Sequence, residues 1–183
     1  MHLTIRIADP DRDARAVADI YRPAVEASIA TFEEDPPSPD EMAARMRSTL
    51  RWTPWLVAED ASDGSLTGYA YAARHRERAG YRWSVDVSTY VAPASRGQGI
   101  GRQLYDALVP MLRRQGFVNL YAGIALPNPA SVALHEGIGM RRIGVYVQVG
   151  YKFGAWHDVA WYGMAIGSRS GHPTEPTPFP DLR

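Results

Sequence analysis

The segment Arg96-Gly97-Gln98-Gly99-Ile100-Gly101 constrains the fold most, because it joins a strand-like run to a helix-like one. Before it, Trp83 to Val91 alternates around Val85, Val87 and Thr89 and closes at Ala92-Pro93, as a strand does. After it a helix is expected from about Gly99 to Gln115, stopped by Gly116. A loop in that position meets unpaired helix amides and the positive end of the helix dipole, which together make an anion site. Glycines let the backbone adopt positive φ and come close to an oxyanion, and Arg96 and Arg102 add charge on either side.

Three loop types compete for this pattern. A nucleotide-hydrolase loop needs lysine followed by serine or threonine at the helix start, where Arg102-Gln103 stands instead. A dinucleotide fingerprint needs an acidic residue some 20 positions further on, and Asn119 to Leu126 contains no carboxylate. A plain tight turn remains, and only the surrounding residues decide against it.

Those surroundings predict a mixed, mostly antiparallel sheet. Thr4 to Ala8 reads as a strand, and Asp11 to Ser28 as a helix with Val17, Ile20, Tyr21 and Val25 on one face, interrupted or split by Pro23. Ser38-Pro39-Asp40-Glu41 is a capping box that starts a second helix to about Thr49. Trp55 to Glu59 and Thr67 to Arg74 flank the turn cluster Asp60 to Gly64, as in a hairpin. Asn119 to Ala125 is a strand, Pro127-Asn128-Pro129 opens a helix through His135, and Met140 to Val149 and Trp156 to Ile166 are the last strands. Pro110 should kink or shorten the loop helix. Residues 1–167 are expected to form one domain, and the proline-rich 168–183 an extended or disordered tail.

Composition narrows the function. Twenty basic and twenty acidic side chains argue against a bulk nucleic-acid or acidic-membrane binder. The absence of cysteine removes thiol nucleophiles and thiolate metal sites, so catalysis must use oxygen and nitrogen groups. His135-Glu136 has glycine at position 139, not the second histidine of a zinc helix, and no metal site is expected. No leader-like segment and no long apolar run is present, which makes a soluble cytoplasmic protein the expectation.

The loop after Tyr90-Val91 resembles the acetyl-coenzyme A loop of the GNAT acetyltransferases. Tyr81 to Val91, Leu126 to Ser131, Leu134 to Gly139 and Gly150 to Val159 resemble the phosphinothricin N-acetyltransferase branch, over about residues 3 to 166. The resemblance implies the GNAT fold, an α/β (α+β) domain with a central mixed sheet flanked by helices. It implies transfer of an acetyl group from acetyl-CoA to the amine of a small anionic amino acid, such as phosphinothricin or methionine sulfone or sulfoximine, and hence herbicide or antibiotic resistance. A homodimer paired through the aromatic-rich terminal strands is implied as well.

Carried over residue by residue, the resemblance assigns the coenzyme to Arg96, Gly97, Gln98, Gly99, Ile100, Gly101 and Arg102 for its pyrophosphate, and to the Tyr90-Val91 strand edge for its pantetheine arm. Asn128 and Ser131 join this set, although asparagine before a first-turn proline is also an ordinary N-cap. His135, two helical turns past Asn128, takes the role of proton donor to the departing thiolate. Phe32, Arg76, Arg78 and Tyr81 match the acceptor pocket, with guanidinium groups suited to a carboxylate or phosphinate.

The amine of the acceptor, with a pKa of roughly 8 or higher, must lose a proton before it attacks. Where the family has glutamate, this chain has Asp86, shorter by one methylene, so proton removal is expected to pass through a water. The alternative for Asp86 is a shaping ion pair with Arg76, Arg78 or Arg82. Val87, Met140, Ala155 and Pro110 also depart from the family pattern and leave the acceptor open. Two rivals stand beside this reading: an enzyme of the same fold acting on another amine or a protein amine, and an acetyl-CoA-binding module without turnover.

Overall fold

The computed structural model describes residues 2–182. Met1 and Arg183, the outer ends of the expected domain and tail, lie outside the described residues. Seven strands form one sheet: β1 (Leu3–Ile7), β2 (Trp55–Asp60), β3 (Leu66–Arg74), β4 (Ser84–Val91), β5 (Asn119–Ala125), β6 (Arg141–Lys152) and β7 (Ala155–Ala165). Their order is β1-β2-β3-β4-β5-β7-β6, and every pairing is antiparallel except β4 with β5. The helices are α1 (Pro10–Ala27), α2 (Pro39–Leu50), α3 (Ile100–Gln115) and α4 (Pro129–Gly137).

Local chemistry sets these boundaries. The Asp9 side chain accepts from the amides of Asp11 and Arg12 at the start of α1, and Ser38 and Glu41 close a reciprocal capping box on α2. The β2–β3 turn closes where Gly64 takes φ 74° and the Asp60 side chain accepts from the Ser62 amide. Gly116, at φ 93°, ends α3 with its N–H on the Arg113 and Leu112 carbonyls.

Two cores hold the layers. On one face of the sheet, α1 and α2 bury Val17, Val25, Met42 and Met46 against Trp55 and Tyr69. On the other, α3 buries Leu104, Leu108 and Leu112 against Val85, Val87, Leu120 and Ile124. Strand alternation therefore gives β4 two different faces: Val85 and Val87 belong to the α3 core, while Tyr90 packs on the α1/α2 core.

Three expectations are corrected. Pro23 does not split α1, and Pro110 does not shorten α3, which runs on to Gln115. The carbonyls they orphan belong to Asp19 and Asp106, both on exposed helix faces open to solvent. The last hairpin is tighter than expected, because β6 runs to Lys152 and turns in two residues, Phe153 and Gly154, at φ 51° and 77°. A register break between Tyr146 and Gly150 precedes that turn, with the Gln148 N–H donated to Asp158.

The stretch beyond Ser168 is extended and docked. Trp83 Nε1 donates to the Thr174 carbonyl at 2.7 Å, and buried Gln115 exchanges bonds with the backbone of Thr177. Arg82 pairs with Glu175.

Candidate active site

The N-terminus of α3 is prepared for an anion. Gly97 and Gly99 take φ 76° and 77°, and a side chain added at either would meet nothing within 4 Å. They are needed for the backbone conformation and not for space. Gly99 caps α3 with no side-chain hydrogen bond, and the Gln103 N–H is the first to reach back, to the Gly99 carbonyl. The amides of Ile100, Gly101 and Arg102 are thus left for a ligand. Gly101 differs, since a Cβ there would lie 2.9 Å from a methyl of the Leu134 side chain on α4, which would have to shift.

A second feature lies in the sheet. β4 and β5 pair only through Ser84–Asn119, Val85–Leu120 and Asp86–Tyr121, and then part. From Val87 to Val91 the β4 edge facing β5 has no strand partner, which leaves amides and carbonyls that an extended chain can pair with. A cavity of about 620 Å³ follows this gap to the α3 N-terminus. Tyr90, Val91, Arg96, Gly97, Gly99, Ile100, Gly101 and Arg102 all line it, with Asn128, Ser131 and His135 from the far side. Gln98 does not; its amide bonds to the Ala94 carbonyl. Arg102 lines the cavity with its guanidinium engaged by Asp106 and the Gly137 carbonyl.

On α4, Asn128 is an N-cap that accepts from the Ser131 amide at 3.1 Å. His135 is 4% exposed, and both its nitrogens are used. Nδ1 faces the Ser131 carbonyl at 2.7 Å, which only accepts, so the neutral ring carries its proton there. Nε2, 3.0 Å from Tyr105 Oη, accepts from that hydroxyl. Burial lowers the His135 pKa against the opposing pull of the Ser131 carbonyl. Both nitrogens are thus engaged by protein groups, which ties α4 to α3 while the ring lines the cavity.

Asp86 stands at the fork of β4 and β5, on the α1/α2 face. Its Oδ1 lies 2.6 Å from Nδ1 of His75, the residue after β3, and its Oδ2 lies 4.0 Å from the Arg76 guanidinium. Burial raises its pKa, opposed first by His75 and then by Arg76. The His75 ring lies 4.6 Å from Tyr121 and has Tyr81 and Trp161 at its edges. Arg76 also approaches the face of Trp161. Of the three arginines named for Asp86, only Arg76 comes near. Arg78 is exposed, with no side-chain hydrogen bond among the described residues, and Arg82 turns to Glu175.

Phe32 reaches the same face from the α1–α2 connection. Its ring sits where a Cβ on Gly150 would be, and 6.3 Å from His157. Lys152 fixes this connection: its buried ammonium donates to the carbonyls of Val25, Ser28 and Thr31 at 2.6, 3.1 and 2.9 Å. Reasoning from sequence missed His75, Tyr121, Trp161 and Lys152. His75 sat inside an arginine-rich run, two residues past Ala73, the register partner of Asp86 on β3. Among the described residues no group of three or more His, Asp or Glu gathers as a metal site, and no helix is long and apolar enough to cross a membrane.

A family model described as Acetyltransferase (GNAT) domain matches residues 5–161. The chain is 38% identical over 154 residues to a phosphinothricin N-acetyltransferase of Streptomyces coelicolor, covering 83% of this chain and 90% of the relative. It is 37% identical over 166 residues to an L-methionine sulfoximine/L-methionine sulfone acetyltransferase of Salmonella typhimurium, covering 90% and 95%. The crystal structure of a GNAT superfamily phosphinothricin acetyltransferase from Sinorhizobium meliloti in complex with AcCoA superposes with a TM-score of 0.90, at 38% identity and full coverage of both chains.

Proposed function

The chain belongs to the GNAT acetyltransferase family and is an acetyl-CoA-dependent N-acetyltransferase; from that premise we propose that its acceptor is the α-amine of a small anionic amino acid of the phosphinothricin or methionine sulfoximine kind. The observation that carries this reading is the grouping of Asp86 and the Arg76 guanidinium at the fork of β4 and β5. A negative group there draws the ammonium, and a guanidinium within a few ångströms suits its carboxylate or phosphinate. Phe32 and Tyr81 close the sides, and Arg78 at the rim steers anions inward.

Acetyl-CoA, when bound, supplies an acetyl group activated as a thioester. The residues present fit it: the free amides of Ile100 to Arg102 and Arg96 suit the pyrophosphate, and the unpaired β4 edge at Tyr90-Val91 suits the pantetheine arm. Asn128 and Ser131 border the arm from α4. Asp86 is the negative group toward which the amine's proton is drawn, through one water given its short reach. Amides along the open β4 edge polarise the carbonyl under attack. His135 keeps the thioester end shaped through Tyr105 and Ser131.

The same reading extends to the whole protein. Residues 1–167 are its catalytic domain, and the strap beyond 168 stabilises it. Exposed apolar side chains on β6 and its turn support a homodimer. Use of acetyl-CoA on small amino acids suits the cytoplasm, and acetylation of an inhibitory amino acid there confers resistance. Thiol release from acetyl-CoA tests it, measured with phosphinothricin, methionine sulfone, methionine sulfoximine, polyamines and a peptide amine. The cysteine-free chain adds no background. Turnover is expected with the anionic amino acids; turnover confined to polyamines or the peptide overturns the acceptor assignment.

A further inference from the structure

We propose that His75 and Asp86 act as one base, the imidazole of His75 taking the acceptor's proton while the Asp86 carboxylate fixes the ring and balances its charge. The proposal deepens the reading above and rests on its placing the amine beside Asp86. It begins from the 2.6 Å contact between Asp86 Oδ1 and His75 Nδ1. An ionised carboxylate only accepts, so the shared proton resides on Nδ1 and the lone pair on Nε2. That nitrogen makes no other hydrogen bond among the described residues. His135 differs, with both nitrogens used, and so does His157, whose Nε2 meets the Lys152 carbonyl.

The ring is held in place. Its backbone N–H donates to the Ser84 carbonyl at 3.2 Å, Tyr121 lies against its face, and Tyr81 and Trp161 close on its edges. It is nevertheless 15% exposed, so a ligand or water reaches it. The titratable and charged groups facing it are Asp86 from β4, Arg76 beside it in the chain, Tyr81 from the following turn and Tyr121 from β5; β7 contributes only an indole.

Base strength and reach favour the pair over the carboxylate alone. An ammonium of pKa roughly 8 yields its proton to an ordinary imidazole across about 1.5 units, and to an ordinary aspartate across about four. The aspartate is also drawn back by about 1.5 Å relative to a glutamate, and an imidazole seated on it extends the basic atom outward again. In the step, one N–H bond of the ammonium breaks and its electron pair stays on nitrogen; that pair forms the N–C bond as the thioester C–S bond breaks, and the departing thiolate takes up the second amine proton through solvent. The first proton forms an N–H bond at His75 Nε2, directly or by exchange through one water, and later passes to solvent. Asp86 is thus a positioning residue and His75 the catalytic one.

The test compares the full-length wild type with His75→Asn, whose amide still donates to Asp86, using the best acceptor of the panel from pH 5 to 9. We expect kcat/KM of His75→Asn to fall by at least ~100-fold with acetyl-CoA affinity unchanged. The acid limb, set in the wild type by a group in the imidazole range, should move into the carboxylate range. A variant with near wild-type rates, or one that loses activity while its acid limb stays in place, overturns the proposal. Nitrogen NMR of the wild-type imidazoles gives a second reading that no variant's folding affects. A ring protonated on Nδ1 whose Nε2 titrates with the acid limb supports the pair, and one protonated on Nε2, or silent across that limb, refutes it. A wild type inactive on every acceptor sinks the acceptor assignment alone, because the NMR still reports the pair.

Discussion

Asp86 is a carboxylate kept where ionisation is costly. Burial raises its proton affinity, and His75 and Arg76 offset this only in part. The folded chain therefore binds this proton more tightly than the unfolded one. Whatever stability the group contributes is present in acid and is lost as pH rises through the carboxylate range. At neutral pH the ionised side chain serves the site at the expense of the fold. Asp86→Asn has nearly the same shape and still accepts from His75 Nδ1–H. Its melting temperature at pH 8 should exceed that of the wild type by ~2 °C, with the gain vanishing toward pH 3 and turnover lost. A melting temperature that drops at pH 8 would show the carboxylate to be a net stabiliser. Lys152 presents the opposite case: its charge, buried without a carboxylate in contact, is satisfied by three carbonyls and thereby fixes the segment that carries Phe32.

The helix starts, the glycine loop among them, were legible in the sequence because their determinants are local. The capping box of α2, the left-handed glycines that flank α3 and the asparagine before the first-turn proline of α4 act within four residues, and the structure has all three where the pattern put them. The prolines misled because the cost of an interior proline depends on which face its freed carbonyl occupies, and a one-dimensional reading does not resolve that face for a single residue. The loop also separates conformation from space. At Gly99 a Cβ has room, yet φ 77° strains any other residue by about 1–2 kcal/mol. Gly99→Ala should therefore weaken acetyl-CoA binding by roughly 5- to 30-fold, the same energy expressed as an equilibrium constant. Gly101→Ala meets only the movable end of Leu134 and should disturb binding less. Calorimetry on both variants checks the ranking; an unchanged dissociation constant for Gly99→Ala would move the anion away from this loop.

At the scale of the molecule, what stayed hidden were contacts between distant stretches. Gln115 meets the tail 62 positions on, and Lys152 meets carbonyls more than 120 positions back. No residue type announces such partners, and composition alone marked the docked strap as extended or disordered. The same scale governs β6, the edge strand of the sheet. Val147, Ile143 and Phe153 are 72%, 60% and 61% exposed on it and its turn, a liability for a monomer and a reason to expect a second copy over them. The strand's other contacts matter equally, because Gly150 seats Phe32 and Lys152 grips the α1–α2 connection. A partner lying on β6 would thus steady the wall of the acceptor pocket while leaving the α3 loop, at the far end of the cavity, untouched. Val147→Asp places a charge in that interface without touching either site. Light scattering should show the mass halved, with acetyl-CoA affinity retained and the acceptor KM raised. A wild type already monomeric would remove the dimer from the reading, and a monomeric variant with unchanged acceptor KM would cut the link between assembly and pocket.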